Sequence, residues 1–249
     1  MIKVAVCGAN GKMGQEVVKA VNSANDMELV AKIDIINGEF ESIKEAKKAQ
    51  VIDVLIDFTQ PASIYENALF CLNNGIKIVI GTTGLTDEQI SNLKKISQEN
   101  SVSCLIAPNF STGAVLMMKF AQMASKYFDN AEIIELHHNQ KKDAPSGTAI
   151  KTAQLMSESN EDFTKGNCIE TETIAGSRGG TSYNNIHIHS IRMPGYIASQ
   201  EVLFGASGQI MSIRHDSMNR ECYMAGVLLA TRYVAENNEF IYGLDNIMN

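Results

Sequence analysis

Short runs of apolar residues alternate with amphipathic stretches along the first hundred residues of the chain. The runs are rich in β-branched residues and almost continuous in apolar character, which is typical of parallel strands covered on both faces. The predicted strands are Ile2–Cys7, Leu29–Ile33, Val51–Ile56, Ile76–Ile80 and Val102–Ala107. The predicted helices between them are Lys12–Ala24, Glu41–Ala49, Ala62–Asn73 and Asp87–Glu99. Repeated strand–helix units predict a doubly wound parallel sheet with right-handed crossovers.

The pattern changes after Pro108. It predicts three helices, Thr112–Phe128, Gly147–Ser157 and Ser217–Ala235, and four strands, Glu132–His137, Asn185–Arg192, Gln200–Gly205 and Gln209–His215. A polar stretch follows the second helix and continues to about Gly180. Strands joined by short turns indicate a mixed or antiparallel sheet. We therefore expect an α/β fold. A Rossmann-like domain is formed by residues 1–109 plus about 217–249, and residues 110–216 form an α+β domain.

Composition and charge narrow the class of protein. The 249 residues are 45% apolar and 20% charged, as in an average globular protein, and the net charge is −7. A nucleic-acid binder needs a basic surface, so that class is disfavoured. No apolar run is long enough for a membrane helix, and no leader peptide is evident at Met1. Five scattered cysteines without metal or redox spacing predict reduced thiols in a cytoplasmic protein: Cys7, Cys71, Cys104, Cys168 and Cys222.

Three glycines lie at the turn between the first strand and the first helix, in Gly8-Ala9-Asn10-Gly11-Lys12-Met13-Gly14. Such a turn lets the backbone approach a pyrophosphate, which the helix N-terminus attracts. The spacing is GxxGxxG, with Asn10 where the usual motif has its middle glycine, so a tight turn without a ligand is the alternative. Asp34 ends the second strand 20 residues after Gly14, where an acidic residue can bind ribose hydroxyls, although surface aspartates are common there. Together they predict a site for NADH, NADPH or both.

Two more loops follow predicted strands at the sheet edge where doubly wound proteins bind ligands. Gly81-Thr82-Thr83-Gly84 follows the fourth strand, and Ala107-Pro108-Asn109-Phe110-Ser111 follows the fifth. Both contain small or polar groups able to border a nicotinamide, and each is also compatible with a simple turn.

The densest polar chemistry lies between His137 and Thr148. His137 and His138 end a strand, so their side chains point to opposite faces and chelate one metal ion poorly; we expect no metal. Proton transfer suits His137 better, with Lys141 to hold an anion or supply a proton. The helix start at Ser146-Gly147-Thr148 offers amides and hydroxyls to a carboxylate. The alternative is packed histidines beside solvated lysines.

These segments resemble the 4-hydroxy-tetrahydrodipicolinate reductase (dihydrodipicolinate reductase) family nearly from end to end. The most specific match is Glu135-Leu136-His137-His138 with Lys141 and Asp143–Ala149. The three loops above match the family's cofactor segments, and further matches are Arg178–Gly180, His189–Gly195 and Arg214–Arg220. Ile35 departs from the pattern, because some members carry a basic residue there. With no arginine after Asp34, we expect use of both NADH and NADPH.

The resemblance implies NAD(P)H-dependent reduction of a cyclic imine dicarboxylate, formed from its 4-hydroxy precursor by loss of water, in lysine and diaminopimelate biosynthesis. It implies His137 as proton donor with Lys141 assisting, His138 beside the substrate, Gly147 and Thr148 on a carboxylate, and a homotetramer built by the second domain. The rival functions are an aspartate or homoserine dehydrogenase and a non-catalytic dinucleotide sensor. Neither has an evident need for this His-His-Lys turn.

Overall fold

The computed structural model describes residues 1–164, 168–181 and 183–248. They form two compact units, Met1–Thr112 with Arg220–Asn249 (unit 1) and Gly113–Asn219 (unit 2). The polar stretch before Gly180 lies partly outside the described residues. Within the described ranges, no helix is both long enough and apolar enough to cross a membrane.

The strands, numbered along the chain, are β1 (Ile2–Cys7), β2 (Met27–Ile33), β3 (Val54–Asp57), β4 (Lys77–Ile80), β5 (Cys104–Ile106), β6 (Asn130–His137), β7 (Gly180–Thr181), β8 (His187–Arg192), β9 (Ala198–Ala206), β10 (Gln209–Ser217) and β11 (Phe240–Tyr242). The helices are α1 (Lys12–Ser23), α2 (Ile43–Ala49), α3 (Pro61–Asn73), α4 (Asp87–Asn100), α5 (Thr112–Ala124), α6 (Gly147–Ser159) and α7 (Met224–Glu236).

Unit 1 contains a parallel sheet in the order β11-β5-β4-β3-β1-β2. Alternate strand residues face opposite sides, and both sets are buried. One set packs with residues of α2, α3 and α4 (Ala5, Cys7, Leu55, Ile78, Ile80), and the other set is equally inaccessible (Val4, Val6, Val54, Ile56, Val79, Leu105). Burial on both faces explains the continuous apolar runs in the sequence and confirms the predicted doubly wound sheet.

Local signals in the sequence set several helix starts in unit 1. Pro61 is the first residue of α3, where its missing N–H costs nothing. Thr86 caps α4, accepting from the Gln89 N–H at 3.2 Å, while the Gln89 side chain accepts from the Thr86 N–H at 3.0 Å. These starts agree with the predicted pattern.

Unit 2 contains a mixed sheet in the order β10-β9-β6-β8-β7. The β6–β8 pair is parallel and the other pairs are antiparallel. One sheet face packs with α6 through a cluster that includes Ile133, Ala153, Met156, Ile188 and Val202. The opposite face carries Ile191 and Ile210, which are 38% and 83% exposed. The predicted mixed or antiparallel sheet is thus confirmed.

The differences from the predicted elements have physical reasons. The final helix begins at Met224, because β10 continues to Ser217 and a 3₁₀ turn occupies Arg220–Tyr223. The helix predicted to Phe128 ends at Ala124 and tightens into a 3₁₀ turn. The short strands β7 and β11 carry too few residues for a recognisable period; β11 gains its structure by pairing with β5.

Candidate functional site

The first glycine turn of unit 1 leaves the N-terminus of α1 open. Gly11 is the N-cap residue and has no side chain to cap the helix. The first intrahelical bond runs from the Gln15 N–H to the Gly11 carbonyl at 3.0 Å, so the amides of Lys12, Met13 and Gly14 precede it. Lys12 is exposed. An uncapped helix start on a glycine turn is suited to a phosphate anion.

Glycine is required in this turn because α1 lies directly against it. Gly8 has a φ of +78°, a conformation that L side chains rarely adopt. A Cβ on Gly14 would overlap the Gly8 carbonyl oxygen and lie 2.8 Å from the Ala9 Cα. A Cβ on Gly11 would approach only the Gly8 oxygen, at 3.2 Å. Gly14 therefore allows the helix–turn contact, and Gly11 tolerates a side chain better.

Asp34 holds two loops together at the end of β2. Its carboxylate accepts the Asn10 N–H at 2.9 Å and the Ile36 N–H at 3.0 Å, and the Asn10 side chain donates to the Ile36 carbonyl at 2.6 Å. The amides of Gly8 and Ala9 both donate to the Ile33 carbonyl. The predicted ribose acceptor thus lies beside the glycine turn and also orders it. Ile35, next in sequence, is 84% exposed.

A buried carboxylate at the end of β3 orders the loop after β4. Asp57 is fully buried and accepts from the Thr82 hydroxyl at 2.7 Å, the Thr59 hydroxyl at 2.7 Å and the Asn67 amide at 2.9 Å. Thr82 is therefore held inside the loop, whereas Thr83 is exposed. Asp57 was missed in the sequence, although an acidic residue ending a buried apolar strand is a usable signal.

An aromatic pair adjoins the loops after β4 and β5. The rings of Phe58 and Phe110 lie 5.8 Å apart at 54°, and Phe110 is buried. A Cβ on Gly81 would overlap the Phe58 ring, so glycine is needed for this close approach. Ala107 is buried and Pro108 is exposed, while the Asn109 side chain accepts the Ser111 N–H at 2.8 Å. These contacts order the loops after β4 and β5.

In unit 2, His137 is held by a buried glutamate on its own strand. Glu135 is two residues earlier on the same face of β6, and its Oε2 lies 2.5 Å from His137 Nδ1. Burial would raise the pKa of Glu135, but hydrogen bonds from His137, Arg192 and Ser190 outweigh it and lower the pKa to about 2. The carboxylate is therefore ionised and can only accept hydrogen bonds, so Nδ1 of His137 carries the proton.

Lys141 is linked to the same network through Asp143. Its ammonium lies 2.8 Å from both Asp143 carboxylate oxygens, and its hydrogen bond lowers the pKa of Asp143. The Asp143 carbonyl accepts from Arg192 Nη2 at 2.7 Å, and Arg192 also binds Glu135 through two nitrogens. The loop that carries Lys141 is thus anchored to β6 and β8.

The start of α6 is open to a ligand. The Ser146 hydroxyl caps the helix by accepting the Ala149 N–H at 3.2 Å, which leaves the Gly147 and Thr148 amides ahead of the first intrahelical bond from Ile150 to Ser146. Gly147 is exposed, and a Cβ there would meet nothing within 4 Å. The Ser146 N–H donates to Glu135 Oε1 at 3.2 Å.

Unit 2 thus brings together most of the predicted catalytic and substrate residues. One carboxylate contacts both His137 and Ser146, and Lys141 joins through Asp143 and Arg192. His138 is exposed and follows β6. Sequence reasoning assigned no role to Glu135 or Arg192. The signal for Glu135 was an acidic residue in an apolar strand, two positions before a histidine.

The geometry of unit 1 fits a dinucleotide. The open start of α1, the exposed Lys12 and the Asp34 carboxylate suit phosphate and ribose. The ordered loops after β4 and β5 are candidates to border the nicotinamide.

The three buried thiols stay protonated near neutral pH, because burial raises the pKa of Cys104 to about 12 and raises those of Cys7 and Cys71 as well. In the part of the chain that is described, no three His, Cys, Asp or Glu side chains gather to hold a metal.

A doubly wound sheet with an open glycine turn, followed by a mixed-sheet unit with a His-Lys polar loop, defines a two-unit NAD(P)H-dependent oxidoreductase. Residues 2–110 match the family model "Dihydrodipicolinate reductase, N-terminus", and residues 113–248 match its C-terminus counterpart. The chain belongs to the dihydrodipicolinate reductase family.

Similar proteins agree over the whole length. Relatives named 4-hydroxy-tetrahydrodipicolinate reductase are 48% identical in Listeria innocua, over 100% of both chains, and 46% identical in Picosynechococcus sp., over 99% of this chain and 98% of the relative. A solved structure described as dipicolinate-bound dihydrodipicolinate reductase from Paenisporosarcina sp. TG-14 has a TM-score of 0.93 and 44% identity, with both chains fully covered. The predicted family and reductase function are confirmed over the dehydrogenase and sensor alternatives.

Proposed function

We propose that this chain reduces the dehydrated form of 4-hydroxy-tetrahydrodipicolinate to tetrahydrodipicolinate, using NADH or NADPH, in lysine and diaminopimelate biosynthesis. One observation carries the proposal for the site: Glu135 contacts both His137 and Ser146, at 2.5 and 3.2 Å. The imidazole that donates the proton and the helix start that binds a carboxylate are therefore immediate neighbours.

The substrate is a dianion, and the protein carries a net charge of −7. Local positive groups must therefore overcome a repulsive overall field. The amides of Gly147 and Thr148, with the Ser146 hydroxyl, hold one carboxylate at the start of α6. Lys141 supplies the positive charge, exchanging its Asp143 partner for the substrate, and His138 borders the ring.

The reaction adds one hydride and one proton across a double bond. When bound, the nicotinamide supplies the hydride. His137 donates the proton from Nε2. The hydrogen bond to Glu135 keeps the other ring proton on Nδ1. General acid catalysis of this kind contributes about 10²–10⁴-fold.

The cofactor site is formed by residues of unit 1. The amides around the glycine turn hold the pyrophosphate, and Asp34 accepts from ribose hydroxyls. The loops after β4 and β5 border the nicotinamide. The set is Gly8, Ala9, Asn10, Gly11, Lys12, Met13, Asp34, Gly81, Thr82, Thr83, Ala107, Pro108, Asn109 and Phe110. Ile35 provides no charge for a 2′-phosphate, and Lys12 is exposed to meet one, so both cofactors serve.

The assembly we propose is a cytoplasmic homotetramer. The sheet face of unit 2 that does not pack with α6 exposes Ile191 and Ile210, and a symmetric assembly would cover it together with the sheet edges. Five free cysteines suit a reducing compartment. Light scattering at micromolar concentration tests the tetramer, and a monomer contradicts it.

The test of the activity is NADH oxidation with three substrates: freshly generated 4-hydroxy-tetrahydrodipicolinate, aspartate semialdehyde, and oxaloacetate with ammonia. We expect turnover with the first alone. His137→Gln should lower kcat by about 10²-fold or more and leave NADH binding intact. Turnover of the other substrates would contradict the proposed reaction.

The matched control is His189→Gln. His189 Nε2 lies 2.6 Å from Glu132 on the neighbouring part of β6, so it is also a strand histidine paired with a glutamate. His189 and Glu132 lie on the opposite face of the sheet from His137, as the pairing of β6 with β8 shows. Unchanged kcat in this variant separates loss of the proton donor from general damage to the sheet.

A further inference from the structure

Glu135 has a complete set of donors around it. Oε2 faces His137 Nδ1 at 2.5 Å and Arg192 Nη1 at 2.9 Å, while Oε1 faces Arg192 Nη2 at 2.8 Å and the Ser146 N–H at 3.2 Å. The side chain is fully buried. The Ser190 hydroxyl donates to the carboxylate as well. A carboxylate with donors on both oxygens has no freedom to turn, so it determines the orientation of His137 and Arg192.

We infer that Glu135 is a positioning residue for the reaction: it holds the His137 ring with Nδ1 protonated and Nε2 presented, and ties that ring to the start of α6. The inference rests on the proposed function, in which His137 donates the proton. The buried Glu135 side chain thereby fixes the position of the proton donor relative to the helix start that binds a carboxylate.

Replacement of Glu135 by glutamine tests the positioning role, because it exchanges one accepting oxygen for a hydrogen-bond donor. The amide has one accepting oxygen and one NH₂ donor, and every group around it donates to the native carboxylate: His137, two Arg192 nitrogens, the Ser146 N–H and the Ser190 hydroxyl. Arg192 and the Ser146 N–H cannot become acceptors. His137 can, because a neutral imidazole exchanges the proton between its nitrogens, and the Ser190 hydroxyl can, because it has lone pairs as well as a proton; Ser190→Ala removes this second acceptor. In the Glu135→Gln/Ser190→Ala double variant the amide NH₂ should therefore face Nδ1, and the ring should change to the Nε2–H tautomer.

The first measurement is ¹⁵N NMR of histidine-labelled protein at a pH where the ring is neutral, with His137→Gln to assign the signals. We expect the ring to be the Nδ1–H tautomer in the wild type and in Ser190→Ala, and the Nε2–H tautomer in Glu135→Gln/Ser190→Ala. An Nε2–H tautomer in the wild-type protein overturns the inference without any variant. An unchanged tautomer in Glu135→Gln/Ser190→Ala overturns it too.

The second measurement is a double-mutant cycle on kcat. Glu135→Gln should lower kcat by about 10²-fold when His137 is present, and by less than about twofold in the His137→Gln background. KM for the substrate should change less than kcat in the single variant. Equal losses in both backgrounds identify Glu135 as a structural residue and overturn the inference.

The matched control is Glu132→Gln, which changes the glutamate partner of His189 on the same strand. It should leave kcat near the wild-type value. Failure of the proposed donor role of His137 and failure of the positioning role of Glu135 give different results. Full activity of His137→Gln contradicts the proposed donor, whereas loss of activity there with additive effects of Glu135→Gln contradicts only the positioning role.

Discussion

Acid pH should weaken unit 2 through the buried carboxylate of Glu135. Its pKa falls from 4.5 to about 2 in the folded protein, because hydrogen bonds from His137, Arg192 and Ser190 outweigh the burial that would raise it. The folded state therefore binds the proton less readily than the unfolded state does. Stability from this group is complete above about pH 5 and is lost as the pH falls towards 2.

The size of the effect follows from the two pKa values. The difference between 4.5 and about 2 corresponds to about 3 kcal/mol of unfolding free energy when fully developed. About 2 kcal/mol of this should be lost between pH 7 and pH 3. Glu135 is fully buried, so solvent screening does not reduce the figure substantially.

The assay is urea unfolding at a series of pH values from 7 to 3, on wild-type protein, Glu135→Gln and Glu161→Gln. Glu135→Gln should be less stable at pH 7, because Arg192 keeps its charge beside a neutral amide. Its stability should then fall less between pH 7 and 3 than that of the wild type, by about 2 kcal/mol. Glu161 is an exposed glutamate of the same unit, and its variant should follow the wild-type curve. Parallel curves for wild type and Glu135→Gln would refute the reasoning.

Three further predictions concern the site. Lys141→Ala should lower kcat/KM by about 10²-fold, because the anion anchor is lost, whereas its exposed neighbour Lys142→Ala should not; equal effects in steady-state assays would reduce Lys141 to a surface charge. Gly14→Ala should weaken NADH binding by about 1–3 kcal/mol in calorimetry, because its Cβ overlaps the turn, and Gly11→Ala, whose Cβ contacts only one oxygen at 3.2 Å, should weaken it less. Finally, kcat/KM for NADH and NADPH should agree within about tenfold, and a large NADPH preference would contradict the role given to Ile35.

The candidate site could be predicted as far as its signals were local. The glycine turn and the His-His-Lys segment stand out because chemistry-bearing residues lie close together in sequence, and Asp34 stands out because it ends a strand 20 residues after Gly14. Arg192 could not be placed, because it lies 57 residues from Glu135 and reaches it only through the parallel pairing of β6 with β8. The contact of Asp57 with Thr82 could not be predicted for the same reason, since the two residues are 25 positions apart.

The sequence by itself determined the alternation of strands and helices in unit 1, because burial on both sheet faces demands continuous apolar runs and capping signals act within one turn. It also determined the family, since Glu135–Ala149 is a contiguous and specific segment. Only the tertiary structure decided that β11 completes the sheet, that Asp34 orders the glycine turn and that Glu135 joins His137 to α6. Those features depend on contacts between distant segments, and no local pattern of residues encodes the pairing that brings such segments together.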